Sequence, residues 1–273
     1  MHDATVLDAT SATSGTSAAA PLLRASALTR RFGGLAAVNR VCIDLHIGEV
    51  HAVIGTNGAG KSTLINLLSG EIAVSEGTIS VAGSDITAWP QARRARSGIG
   101  RSYQRTTIFP KFTLLENCRL AAQAALQRPW RLWQAAATCP HSVGSAWLAL
   151  EAAGLQQYAQ QIAGAISHGQ QRQLEIAMCL ATNPQVLLLD EPLAGMGAEE
   201  TERMLAMLER LKSAHAILLV EHDMDAVFRV ADRITVMVNG QVIATDRPEN
   251  IRNNRDVIVA YLGETPSGQG QHA

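Results

Sequence analysis

Short runs of apolar residues recur along the chain, and they predict strands that are buried on both faces. Residues 186–189 and 216–220 carry only apolar side chains, and residues 50–54 form a third run rich in β-branched residues. Strands of this kind are typical of a parallel sheet that is covered by helices. Ligands of such sheets bind at the carboxyl ends of the strands, so the residues that follow each run are candidates for a site.

Weaker patterns predict most of the other elements. Further strands are expected at residues 23–28, 41–45, 77–83, 233–237 and 241–244. Asn239-Gly240 lies between the last two runs and predicts a tight hairpin. Residues 199–213 have the apolar spacing of an amphipathic helix, and a last helix is expected over about residues 252–262.

A small helical subdomain is expected in the middle of the chain. Residues 114 to about 165 are rich in Ala, Leu and Gln, and residues 139–144 interrupt this helical pattern. Together with the next helix, which Ser167 begins, the segment predicts an inserted subdomain over approximately residues 114–182. The predicted packing anchors of this subdomain are Trp130, Trp133 and Trp147.

These patterns divide the chain into three parts. Residues 1–21 are rich in Ala, Ser and Thr without an apolar period, and they predict a disordered leader. Residues 22–262 are expected to form the folded domain, and residues 263–273 a flexible tail. The chain has no run of about 18 apolar residues, so no membrane-spanning segment is expected.

One stretch carries a complete nucleotide-binding motif. Residues 55–63 fit the phosphate-loop pattern G-x-x-x-x-G-K-[ST], between a predicted strand and a predicted helix. In such a loop, backbone N–H groups surround phosphate oxygens, the lysine reaches the terminal phosphates and the hydroxyl can bind Mg²⁺. The residues predicted to bind the nucleotide are Gly55, Asn57, Gly58, Ala59, Gly60, Lys61, Ser62 and Thr63.

Polar residues after the buried strands are candidates for the chemistry. Asp190 and Glu191 follow one buried run and His222 follows another, so all three are expected at the phosphate end of the sheet. Gln104 follows a further strand-like segment and is a candidate ligand of Mg²⁺ or water.

Two other features allow both a structural and a functional interpretation. Ser167 is expected to cap a helix, and a helix N-terminus can also bind an anion. Capping alone does not explain Gly169 and Gln170 beside it. Phe32, upstream of the phosphate loop, is either a core residue or an aromatic that stacks on a purine.

Composition and charge limit the classes of partner that can be expected for this chain. Of 273 residues, 47% are apolar and 17% are charged, and the formal net charge of -1 gives no case for nucleic acid. Residues 87–150 nevertheless contain many arginines and one acidic residue, Glu116, which indicates either a solvated basic face or a docking surface. The scattered cysteines predict reduced, buried thiols in a cytosolic protein: Cys42, Cys118, Cys139 and Cys179.

Taken in order, these motifs resemble the ATP-binding subunit of ABC transporters. The matching features are the phosphate loop, Gln104, the signature at residues 166–170, the strand that ends at Asp190, then Glu191 and His222. Segments similar to importers of branched-chain amino acids are residues 32–39, 109–117, 169–176 and 190–196. The resemblance implies an α/β fold with a P-loop NTPase (RecA-like) core, an antiparallel β subdomain and an inserted α-helical subdomain.

The resemblance also implies roles for individual residues. Further contacts with ATP would come from Phe32 and Val38. The residues that would hold Mg²⁺ are Ser62, Gln104 and Asp190. Catalytic roles would belong to Glu191, His222 and Gln104. In a head-to-tail dimer, the residues of one subunit that would close on the nucleotide of the other are Ser167, Gly169 and Gln170.

The function implied is ATP hydrolysis that drives uptake of branched-chain or related amino acids. Implied partners are integral membrane permease subunits, a second ATPase subunit and, indirectly, a periplasmic solute-binding protein, with no nucleic acid. The chain would be peripheral at the cytoplasmic face of the inner membrane, with Arg101 and Arg105 near the groove that receives the permeases. Alternatives are the same role for urea or short amides, a soluble ABC ATPase without a transport role, and a regulatory module without turnover.

This sequence departs from the family pattern at three places. The usual signature L-S-G-G-Q reads I-S-H-G-Q, with His168 in place of a glycine. Gly197 stands where many relatives carry Asp or Asn after the catalytic glutamate. The helical segment is also shorter than expected for importers of branched-chain amino acids. These differences leave open the contact across the dimer and the communication between its two sites.

Overall fold

The computed structural model describes residues 20–103, 107–126 and 140–262. The predicted tail and most of the predicted leader lie outside the described residues, as do Gln104, Arg105, Trp130, Trp133 and Cys139. Within the described ranges, no helix has the length and apolar character needed to cross a membrane.

The described strands form two sheets. They are β1 (Leu23–Phe32), β2 (Leu35–Leu45), β3 (Val50–Gly55), β4 (Glu76–Val81), β5 (Ser84–Asp85), β6 (Ile99–Arg101), β7 (Val186–Asp190), β8 (Ala216–Val220), β9 (Arg233–Val238) and β10 (Gln241–Asp246). The first sheet is antiparallel with the order β2-β1-β4-β5. The second has the order β10-β9-β3-β8-β7-β6 and is parallel from β9 to β6.

The central strands of the second sheet have the burial that their sequences predict. Every residue of β3, β7 and β8 is buried, which confirms the prediction that these runs are covered on both faces. β10 closes one edge as the antiparallel partner of β9. Asn239 and Gly240 connect them with φ angles of 49° and 78°. Positive φ at both central residues is what a tight type I′ hairpin requires, so the predicted hairpin is confirmed.

The helices in the described ranges cover the parallel sheet. They are α1 (Lys61–Ser69), α2 (Gln91–Arg96), α3 (Leu114–Leu126), α4 (Pro140–Ala152), α5 (His168–Leu180), α6 (Ala198–Leu211), α7 (Met224–Val230), α8 (Pro248–Arg252) and α9 (Arg255–Leu262). α3, α4 and α5 contact one another and form the predicted helical subdomain.

Two predicted boundaries are wrong. Residues 140–144 do not interrupt the helical pattern, because they are the first residues of α4. Proline is tolerated in the first turn of a helix, where its missing N–H would have no helical partner. The last helix begins at Arg255 rather than near residue 252, since a short separate helix, α8, ends at Arg252.

Buried apolar side chains pack on both faces of the parallel sheet. One cluster joins α3 to α6 to one face, and a second packs α1 and the antiparallel sheet against the other. Trp147 is not the predicted packing anchor, because 41% of it is exposed while Ala146, Ala149 and Leu150 form the buried side of α4. Of the described cysteines, Cys118 is buried as predicted, whereas Cys42 is exposed.

Arg94 connects α1 and α2 from a fully buried position. Its guanidinium donates to the carbonyl oxygens of Leu67 and Leu68 at 2.7 and 2.9 Å, and to those of Thr87 and Trp89 at 2.8 and 3.0 Å. The last carbonyls of a helix have no partner inside the helix, so Arg94 satisfies the C-terminal end of α1. Since α1 begins at the phosphate loop, this contact also supports the loop.

Arg101, expected near the groove that receives the permeases, is likewise engaged inside the domain. Only 9% of its side chain is exposed. It donates to Ser69, Asn66 and Glu71 at 2.7, 2.6 and 2.5 Å, and its guanidinium carbon lies 4.7 Å from the ring centre of Tyr103. Charge reversal at Arg101 would therefore break contacts of the fold as well as any contact with a partner.

Replacing Arg94 is expected to destabilise the domain strongly. Arg94→Ala removes a buried guanidinium that donates to four carbonyl oxygens, so the free energy of unfolding should fall by about 3 kcal/mol or more. Urea denaturation measures this change. Arg96→Ala, an exposed arginine on the same helix, is the matched control and should change stability little. Equal effects of the two substitutions would contradict the structural role of Arg94.

Candidate active site

The phosphate loop connects the end of β3 to the start of α1. Gly60 precedes the helix with a φ of 100°, and a β-carbon at this position would collide with the carbonyl oxygen of Ala37 on β2. The N–H of Leu64 already bonds the carbonyl oxygen of Gly60 at 2.8 Å, so α1 is regular from its first turn. The loop thus presents the N-terminus of a helix, which is a favourable place for phosphate.

Lys61 folds back over this loop. Its ammonium donates to the carbonyl oxygens of Gly55 at 2.7 Å and Thr56 at 3.1 Å. Burial lowers the pKa of Lys61, and the nearby carboxylates of Asp190 and Glu191 oppose that shift. The charge is therefore held at the loop by weak neutral acceptors that a phosphate could replace.

The end of β7 places two carboxylates close to Lys61, as the sequence predicts. Asp190 is buried, and its burial raises the pKa, whereas Arg101 and Lys61 act in the opposite direction. Glu191 has a φ of 49°, which is uncommon for a residue with a side chain. Its N–H donates to the carbonyl oxygen of Val220 at 2.9 Å, so the turn after β7 is fixed to the end of β8.

His222 joins this group from the end of β8. Its Nδ1 atom lies 3.8 Å from Glu191 Oε1, and 62% of the side chain is exposed. The structure thus brings Glu191 and His222 together at the edge of the sheet where Asp190 and Lys61 lie. Their catalytic roles remain predictions.

Glu221 is a residue of this site to which the sequence pattern assigned no role. Its side chain is completely buried, and its carboxylate accepts from the N–H of Leu193 at 2.8 Å and from that of His222 at 3.2 Å. Burial raises the pKa of Glu221. The carboxylate therefore holds the turn that follows Glu191 and the backbone of His222. The sequence signal that could have identified Glu221 is its position as a charged residue directly after a buried strand.

The signature residues cap α5 as predicted. Ser167 Oγ accepts from the N–H of Gln170 at 3.2 Å, and Gln170 Oε1 accepts from the N–H of Ser167 at 3.0 Å. This reciprocal pair is a capping box. In the described part of the chain, no hydrogen bond joins residues 167–170 to the phosphate loop of the same chain.

α5 also holds the two segments that flank Gln104. Arg172 donates to the carbonyl oxygen of Tyr103 at 3.2 Å, and Glu175 accepts from the N–H of Thr107 at 2.8 Å. The two side chains form a buried ion pair at 2.9 Å. Sequence reasoning did not single out this pair, because an arginine and a glutamate three residues apart are common on exposed helices.

The two further residues predicted to contact ATP, Phe32 and Val38, differ in their exposure. Phe32 lies at the end of β1 and is 48% exposed, with the guanidinium of Arg30 4.8 Å from its ring centre. It is therefore accessible to a ligand, and its stacking on adenine remains a prediction. Val38 is fully buried in the core beside α1, which leaves no exposed surface of its side chain for a nucleotide. This corrects the predicted contact.

Comparison with known families agrees with this arrangement. A family model described as "ABC transporter" matches residues 38–194. A second model, described as "Branched-chain amino acid ATP-binding cassette transporter", matches residues 241–266.

Individual relatives cover nearly the whole chain. The high-affinity branched-chain amino acid transport ATP-binding protein BraF of Pseudomonas aeruginosa is 39% identical over 253 residues, which are 89% of this chain and 98% of the relative. The corresponding protein LivG of Escherichia coli strain K12 shows the same identity and coverage.

Solved structures give the same result for the fold. A nucleotide-free ATP-binding cassette from an ABC transporter matches with a TM-score of 0.79 and 30% identity, over 89% of this chain and 100% of that chain. The ADP conformation of the cassette MJ1267 also has a TM-score of 0.79, with 31% identity over 89% of this chain and 99% of that chain. The predicted P-loop NTPase fold class is thereby confirmed. Since one family model covers more than half of the chain and the relatives match almost end to end, the chain belongs to the ABC transporter family of ATP-binding proteins and is an ABC ATPase.

Proposed function

We propose that this ATPase drives the uptake of branched-chain amino acids through separate membrane subunits. The observation that carries the proposal is the meeting of Lys61, Asp190, Glu191 and His222 at one edge of the sheet, in a chain 39% identical to BraF and LivG. The names of those two relatives assign them to high-affinity transport of branched-chain amino acids.

ATP is expected to bind with its phosphates in the loop before α1. Lys61 would exchange its two carbonyl acceptors for phosphate oxygens, and the first N–H groups of α1 would complete the cradle. Phe32 would contact the adenine. Phosphoryl transfer depends on positioning and on neutralising charge, which these groups supply.

Mg²⁺ is the proposed metal, and it would neutralise charge that develops on the phosphates. It typically keeps several waters and takes one or two carboxylates together with phosphate oxygens. A buried aspartate at a strand end and a hydroxyl at the start of α1 fit that demand, so Asp190 and Ser62 are its proposed ligands, with Gln104. Within the described residues no group of three or more His, Cys, Asp or Glu side chains could hold a metal ion.

Glu191 is proposed to orient the attacking water, and His222 to contact the terminal phosphate. The 3.8 Å between Glu191 Oε1 and His222 Nδ1 leaves the two side chains close enough to act on one reacting centre. Glu221 supports both by binding the backbone around them. In this proposal Glu191 acts on the water and Asp190 binds the metal, so the two roles fall to different residues.

A second ATPase subunit is proposed to complete each site. Ser167, Gly169 and Gln170 of one subunit would close on the nucleotide of the other, since among the described residues their turn makes no hydrogen bond to its own phosphate loop. The other proposed partners are integral membrane permeases and, through them, a periplasmic solute-binding protein. The ATPase would work at the cytoplasmic face of the inner membrane.

Glu191→Gln is expected to separate hydrolysis from binding. ATP affinity should stay near the wild-type value, while turnover should fall by about 100-fold or more, because the residue acts on the water. An ATP-bound dimer should accumulate. Asp190→Asn should instead lose Mg²⁺-dependent binding of ATP. Nucleotide affinity, hydrolysis and size-exclusion chromatography with ATP measure these effects, and near-normal turnover of Glu191→Gln would refute the assignment.

Uptake by vesicles tests the solute. Proteoliposomes that contain the permease subunits, the solute-binding protein and this ATPase should accumulate leucine when ATP is supplied on the ATPase side. Vesicles with Glu191→Gln are the matched control and should not accumulate it. Accumulation of urea or short amides in place of leucine would contradict the proposed substrate, and intact uptake with Glu191→Gln would contradict coupling to hydrolysis.

A further inference from the structure

Glu200 lies where the N-termini of two helices meet. Ser167 Oγ donates to Glu200 Oε1 at 2.8 Å. The Glu200 carboxylate also lies directly against the backbone of Gly169, at the start of α5. One negative charge therefore bridges the signature turn and the first turn of α6.

The signature turn closely fits this carboxylate. A β-carbon at Gly169 would lie 2.6 and 2.7 Å from the two carboxylate oxygens of Glu200, so a side chain at this position would displace the carboxylate. The hydrogen bond from Ser167 lowers the pKa of Glu200, which keeps the carboxylate charged. Gly197 offers no side chain to cap α6, and Glu200 is the third residue of that helix, where a glutamate can reach back to the N-cap.

The donor that Glu200 uses is also a donor proposed for nucleotide. If the dimer forms as described under the proposed function, on which this inference rests, the Ser167 hydroxyl and the Gly169 backbone face the terminal phosphate of the ATP on the other subunit. A carboxylate and a phosphate repel each other and cannot both occupy the Ser167 hydroxyl and the space beside Gly169.

We propose that Glu200 is a positioning residue that occupies the phosphate position of the signature turn in the single subunit and leaves it when nucleotide enters from the partner. In the single subunit it accepts the hydrogen bond of the Ser167 hydroxyl. When the dimer closes, that hydroxyl passes to the phosphate and the Glu200 side chain turns away.

This exchange links the nucleotide to the segment after Glu191. α6 begins after Gly197, only a few residues beyond that catalytic candidate, so release of Glu200 frees a carboxylate in the first turn of α6. A bound phosphate at one site would then alter the start of α6 in the subunit that contacts it. Glu200 would supply in this chain a link that an Asp or Asn at position 197 could otherwise provide.

The competition can be measured in the Glu191→Gln background, where ATP-bound dimers are expected to accumulate. Glu200→Ala removes the competing carboxylate, and Glu200→Gln keeps a hydrogen-bond acceptor but removes its charge. Glu199→Ala is the matched control, because it removes a negative charge from the same helical turn. Glu199 is 86% exposed and pairs with Arg203 at 2.9 Å, away from Ser167.

Dimer formation is followed by sedimentation as the concentration of Mg²⁺ and ATP increases. The ATP concentration for half-maximal dimer should fall about tenfold with Glu200→Ala, as expected for loss of a competing charged hydrogen bond. It should fall less with Glu200→Gln and stay unchanged with Glu199→Ala. An unchanged ATP requirement in Glu200→Ala would refute the competition. An increased requirement would show instead that Glu200 supports the binding-competent turn.

Amide hydrogen exchange without nucleotide tests the contact itself. Residues 167–170 should exchange faster in Glu200→Ala than in Glu199→Ala, because the Ser167 hydroxyl that caps the N–H of Gln170 loses its carboxylate partner. Equal exchange in the two variants would refute the contact in solution. If the parent Glu191→Gln protein forms no dimer with ATP, the proposed dimeric function fails, while the exchange measurement still decides whether Glu200 holds the signature turn.

Discussion

The geometry of the parallel sheet is the constraint on which the site depends. β3, β7 and β8 are buried on both faces, so the chain can place polar groups only where these strands end. Parallel strands end at the same edge, and there Lys61 meets Asp190 and Glu191. Burying charges is costly unless opposite charges or donors lie nearby, which explains why the cation and the carboxylates share this edge.

α5 extends this organisation to the helical subdomain. Its Arg172 and Glu175 bind the segments on both sides of Gln104, while its N-terminus binds Glu200 on α6. A single helix thus connects the segment that carries Gln104 to the start of α6. Movement of the signature turn would therefore reach the segments that flank Gln104 through the buried Arg172–Glu175 ion pair. It would reach the start of α6 through the Glu200 carboxylate.

Local patterns predicted much of this structure. The phosphate loop, the buried strands and the capped start of α5 depend on a few neighbouring residues, and each was found where its motif indicated. Contacts between distant segments left no such signal. Arg94 and Arg101 counted as members of a basic surface, yet their partners in and after α1 bury them. Val38 was assigned to the nucleotide, although strand pairing places it in the core. The contact between Ser167 and Glu200 spans 33 residues and depends on how two helices pack.

The most direct measurement of the central claim concerns the charge at the phosphate loop. Binding of Mg²⁺ and ATP to purified wild-type protein and to Lys61→Ala can be compared by calorimetry, with Arg96→Ala as a surface control. Lys61→Ala should still unfold cooperatively in urea but lose most of its ATP affinity, because the variant lacks the ammonium that would donate to the phosphate oxygens, and the carbonyl oxygens it leaves behind cannot bind phosphate. ATP affinity that is unchanged in Lys61→Ala would contradict the assignment of this edge of the sheet as the nucleotide site.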